Sequence, residues 1–85
     1  MIEYALFQRL PAWSQAEALV RYGTALAQRQ HNDWTVTLYV LDNRFVELWA
    51  KNGLSVTTSF RAEATTLEIA EPYLEQMDIT PLLNT

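Results

Sequence analysis

From Trp34 to Arg61 the chain alternates apolar and polar side chains in three runs, Trp34–Leu41, Phe45–Ala50 and Leu54–Arg61. The pairs Asp42-Asn43 and Asn52-Gly53 separate them. Runs rich in β-branched and aromatic residues, bounded by such turn residues, read as strands of an antiparallel meander. Upstream the spacing changes. Ala16, Leu19, Val20, Gly23, Leu26 and Ala27 recur at intervals of three and four, which predicts one long helix from about Gln15 to about Gln30. Ser14 and Glu17 suit a capping box at its start, and His31-Asn32-Asp33 suits its end. Gly23, in mid-helix on the apolar face, implies close approach to the sheet. Residues 2–9 predict a helical turn or two, closed by Pro11. In the tail, Thr65–Glu68 is a second capping box, Pro72–Met77 a short helix begun by its proline, and Thr80-Pro81 the start of a last turn. The expected fold is α+β, with 1–85 as one domain. One long N-terminal helix packs on a three-stranded antiparallel β-meander, with short helical segments at both ends.

Matching apolar rows across the strands predicts the register. Opposed residues of an antiparallel pair share a face, and a slip of one residue swaps faces. Three-residue loops, Asp42-Asn43-Arg44 and Lys51-Asn52-Gly53, place Val36, Leu38, Val40, Val46, Leu48, Ala50, Leu54, Val56 and Phe60 together against the long helix. The other face then carries Tyr39 opposite Glu47, Thr37 opposite Trp49, and Leu41 opposite Phe45. Tyr39, Leu41, Phe45, Glu47 and Trp49 are therefore the candidate interaction surface. Large aromatics on a sheet face need cover. Either the tail supplies it through Leu67, Ile69, Tyr73, Leu74, Leu82 and Leu83, or a partner does.

Composition narrows the chemistry. The 85 residues are 49% hydrophobic and 19% charged, with a formal net charge of −4. The six basic residues, Arg9, Arg21, Arg29, Arg44, Lys51 and Arg61, are scattered. Neutralising a phosphate backbone or an anionic membrane surface requires a basic stripe, so neither nucleic acid nor membrane is an expected partner. There is no cysteine, which excludes disulfides, thiolate zinc sites and a cysteine nucleophile. No basic-then-apolar leader opens the chain and no apolar run approaches a membrane span. The expected location is the cytoplasm.

Candidate chemical groups are few. Glu47, framed by aromatics, has surroundings of the kind that raise a carboxyl pKa, but one carboxylate without a partner base or nucleophile is not a catalytic site. It reads as a strand glutamate with its head in water or paired with an arginine. His31 is the single histidine and lacks the further ligands a metal needs. Glu63, Glu68, Glu71, Glu75 and Asp78 make an acidic tail without the spacing of a calcium loop. No metal and no cofactor is expected.

The order helix, three strands, helix resembles the double-stranded-RNA-binding domain in outline. That family holds phosphates with a lysine-rich start to its last helix. The matching region here, Ala64 to Gln76, has no Lys or Arg and carries Glu68, Glu71 and Glu75. The functional expectation is a non-catalytic interaction or assembly module, partnered by a second copy or by another protein. The alternative is a small-ligand binder or minor enzyme with a pocket between sheet and tail, anchored by Glu47 and Tyr39.

Overall fold

The computed structural model describes residues 2–75. It is an α+β arrangement, but not the one the periodicity predicts. Two short helices, α1 (Tyr4–Arg9) and α2 (Ala12–Tyr22), lead into four strands: β1 (Thr24–His31), β2 (Trp34–Leu41), β3 (Arg44–Lys51) and β4 (Leu54–Ser59). Helix α3 (Thr66–Leu74) follows. The strands form one antiparallel sheet in sequential order. The long N-terminal helix and the three-stranded meander are thus both corrected, and the outline of the RNA-binding domain goes with them.

The helix ends early because of Gly23. Its N–H donates to the Leu19 carbonyl at 2.8 Å as the chain turns into extended backbone. A Cβ at Gly23 would lie 2.7 Å from that carbonyl oxygen and 3.2 Å from the Tyr39 ring. Close approach to the sheet does require this glycine, at a helix-to-strand corner rather than in mid-helix. Beyond it, Thr24–His31 is rich in helix formers, yet it pairs along β2. Local propensity is a weak prior against that much backbone pairing. Gln28 donates to the Thr37 hydroxyl at 3.0 Å and Gln30 to Thr35 at 3.2 Å, so cross-strand side chains reinforce the ladder.

Ser14 and Glu17 lie inside α2, whose N-cap is Pro11. The Thr65–Glu68 capping box is present: Glu68 N–H donates to Thr65 Oγ1 at 3.1 Å, and Thr65 N–H to Glu68 Oε2 at 3.4 Å. Helix α3 nevertheless runs through Pro72 rather than restarting there. A proline in this position removes one backbone bond, and burial of Ile69 and Tyr73 on either side of it offsets the loss. The end of the predicted Pro72–Met77 helix and the Thr80-Pro81 turn lie outside the described residues.

The loops are two residues long, not three. Asp42 and Asn43 both have positive φ (49° and 60°), as do Asn52 and Gly53 (47° and 83°). This is the backbone of a type I′ hairpin, whose twist matches the flanking strands. Turn chemistry therefore overrides row matching. Leu38 faces Glu47, Val36 faces Trp49, and Val40 faces Phe45. The even residues of β2 and the odd residues of β3 share one face, covered by α3. Tyr39, Leu41, Val46 and Leu48 share the other, covered by α1 and α2.

Two apolar layers result. Phe7, Leu19, Leu41 and Val46 form one beneath α1 and α2. Val36, Leu38, Ile69 and Tyr73 form the other beneath α3. Polar ties hold α1 and α2 in place. Tyr4 N–H donates to Asp42 Oδ2 at 2.9 Å, and Thr57 Oγ1 donates to Gln15 Oε1 at 2.6 Å. Because Gly23 has no room for a side chain, Gly23→Ala should lower stability by about 1–3 kcal/mol. Urea unfolding of the two proteins measures this, and equal midpoints would remove the close-approach argument.

Candidate functional site

The two-residue turn between β2 and β3 sends Glu47 inward. It is 7% exposed, the one buried charged residue among those described. An ionised carboxylate out of water is costly unless hydrogen-bonded or paired. Four side chains from three strands and a helix answer that demand. Tyr73 on α3 donates its hydroxyl to Glu47 Oε2 at 2.6 Å. Trp49 donates Nε1–H to Oε1 at 3.3 Å, and Thr58 on β4 donates Oγ1–H to the same oxygen at 3.4 Å. Arg29 on β1 reaches Oε2 with one guanidinium nitrogen, also at 3.4 Å.

The short Tyr73 bond is the strongest of the four by geometry, and the Arg29 contact is long. Arg29 is held as much by aromatic faces as by charge. Its guanidinium lies 5.2 Å from the ring centres of both Trp49 and Tyr73, within cation–π range. Its Nε is buried with no hydrogen-bond partner among the described residues. Burial, and then the adjacent Glu47 carboxylate, push the Tyr73 hydroxyl well above the ordinary phenol range, while Arg29 pulls the other way. Tyr73 thus stays a neutral donor at every physiological pH.

This arrangement closes on itself. Both carboxylate oxygens are engaged by the chain's own donors. No group of three or more His, Asp or Glu among the described residues is placed to hold a metal. His31 is exposed and packs edge-on to Trp49, ring centres 5.6 Å apart. Chemically, the cluster ties α3 to β1, β3 and β4. A depression of about 120 Å³ lies elsewhere, between Tyr4, Arg44, Phe45, Phe60, Arg61 and Ile69. Arg61 there is already paired with Glu68 at 2.8 Å.

The five residues expected to share an interaction surface are divided. Phe45, Glu47 and Trp49 lie under α3, whereas Tyr39 and Leu41 lie against α1 and α2. The face expected to need cover is not one face: Ile69 and Tyr73 of the tail cover the Phe45 and Trp49 part, whereas Tyr39 and Leu41 are covered by α1 and α2. Leu67 and Leu74 remain exposed, and Leu82 and Leu83 fall outside the described residues. Arg29 and Thr58 were not among the candidates. Arg29 was hidden by the helical reading of its segment, although an arginine partner for Glu47 is what a strand glutamate calls for.

One apolar corner stays open on the α3 face. Trp49 lies opposite Val56, and Lys51 opposite Leu54. Val56 is 49% exposed and Leu54 62%. Trp34 packs edge-on to Trp49 with ring centres 6.2 Å apart, so the corner continues as an aromatic row. No helix among the described residues is long and apolar enough to cross a membrane. Comparison with known protein families, curated proteins and solved structures finds no match.

Removing the carboxylate strands its donors, so Glu47→Ala should cost about 3–5 kcal/mol, read from urea unfolding. A cost below about 1 kcal/mol would mean the cluster is not holding α3. Tyr73 makes a second, pH-dependent prediction. Its folded pKa is raised above the unfolded value of about 10, so its contribution is complete below that pH and fades as pH rises beyond it. The melting temperature of Tyr73→Phe should therefore fall less steeply than that of the unaltered protein above about pH 10. Parallel slopes would contradict the assignment.

Proposed function

We propose that this protein is a non-catalytic interaction module whose contact surface is the corner of the sheet formed by β4 and the Trp34–Trp49 row. The observation that carries the reading is the pair Leu54 and Val56, apolar and substantially exposed on an edge strand. Exposed apolar patches that continue into aromatic residues are typical contact surfaces, with aromatic anchors at their centre. Among the described residues, the other exposed large apolar side chain of the sheet is Leu26 on β1, 52% exposed, and it stands alone rather than beside an aromatic row. The polar cluster at Glu47 supports the reading indirectly, because its groups are engaged in holding α3. Glu47 and Tyr39, the anchors expected of a ligand pocket, lie on opposite faces.

The test is comparative capture from the source cell with the full chain and with a Leu54→Lys/Val56→Lys variant, both quantified by mass spectrometry. Proteins retained by the unaltered chain, an untagged copy of itself included, should be lost from the variant. Identical retention by both would refute the corner as the contact surface.

A further inference from the structure

We infer that the occupant of this corner is a second copy of the chain, joined through β4. Two β4 strands pair antiparallel across a two-fold axis normal to the sheet, turning two four-stranded sheets into one of eight. The inference rests on the proposed contact surface and adds its partner and its geometry.

The two edges of the sheet differ in the way this requires. An open edge strand is a template for pairing, and proteins blunt it with bulges, proline, charge or a covering helix. β1 carries three of those devices. Its register shifts between Ala25 and Ala27, Arg29 points inward, and α3 packs against it. β4 carries none. Leu54–Ser59 has no proline and no charged residue, and it pairs with β3 without a register shift.

Charge selects the second copy over a foreign segment. In a two-fold contact, groups near the axis meet their own copies, so an uncompensated charge there meets its like. The whole chain carries −4, yet β4 is neutral along its length. The cations that flank it are paired within the chain, Lys51 with Asp33 at 3.9 Å and Arg61 with Glu68 at 2.8 Å. A foreign partner imposes no such need for neutrality.

Side chains also match. The axis keeps even-numbered residues of both strands on one face, so Val56 of one copy lies opposite Val56 or Leu54 of the other. On the opposite face Ser55 meets Thr57 in the first of these registers and Ser55 in the second. Apolar and threonine–serine pairs of this kind favour strand association.

Sedimentation velocity of the full chain over a concentration series tests the inference, together with amide exchange at low and high concentration. The unaltered chain should pass from monomer to dimer, with β4 amides gaining protection as it does. Val56→Lys, at a half-exposed position, should raise the dimer dissociation constant by about tenfold or more, a change of roughly 1.4 kcal/mol. Leu26→Lys, on the β1 edge, should leave it unchanged. A dimer indifferent to Val56→Lys, or without β4 protection, overturns the inference. So does a monomer at every concentration. In that case a library of extended peptides separates the two claims. Peptides that bind and protect β4 amides would leave β4 as a contact surface for another protein, whereas no binding at β4 would sink both.

Discussion

Glu47 is a carboxylate lifted out of water in the middle of a four-stranded sheet, and burial of that kind is tolerated only when donors surround the charge. The donors come from β1, β3, β4 and α3. The need to satisfy one charge therefore constrains how four elements sit together. It gives α3 a defined seat, with Tyr73 aimed at Oε2, where Ile69 alone would allow sliding. Apolar burial supplies the bulk of the attraction, at about 25 cal/mol per Å². The carboxylate supplies direction, because a 2.6 Å hydrogen bond has a geometry and apolar contact does not.

The position of Glu47 follows in turn from two tight turns. Asn and Asp tolerate positive φ better than other side-chain-bearing residues, and they stand at Asp42, Asn43 and Asn52, with Gly53 completing the second pair. Two-residue loops then require the odd residues of β3 to face the same way as the even residues of β2. That places apolar side chains on both faces, and both faces need helices. The two-sided cover and the buried carboxylate thus have one cause. The same geometry leaves β4 at the edge, with Leu54 and Val56 open.

Much of this was legible along the chain. The three runs from Trp34 onward are strands, and Thr65 and Glu68 form the capping box their spacing suggests. The register was not, because matching apolar rows assumes one buried face, and here both are buried. β1 was not, because Ala25, Leu26, Ala27, Gln28 and Arg29 carry helical propensity and helical spacing. Only the steric limit at Gly23 and the open side of β2 reverse that preference. The Glu47 cluster was out of reach for another reason. Arg29 and Tyr73 stand 18 and 26 positions from Glu47, and nothing local in the sequence announces a contact across that distance.

If the Glu47–Tyr73 bond is what seats α3, the two residues must be energetically coupled. A double-mutant cycle with Glu47→Gln, Tyr73→Phe and the combined variant, each unfolded in urea, measures that coupling. A charge-assisted hydrogen bond in a buried site predicts a coupling of about 1.5–3 kcal/mol. Additive single effects, with coupling below about 0.5 kcal/mol, would show that α3 is held by apolar packing alone and that the carboxylate is not the organising constraint.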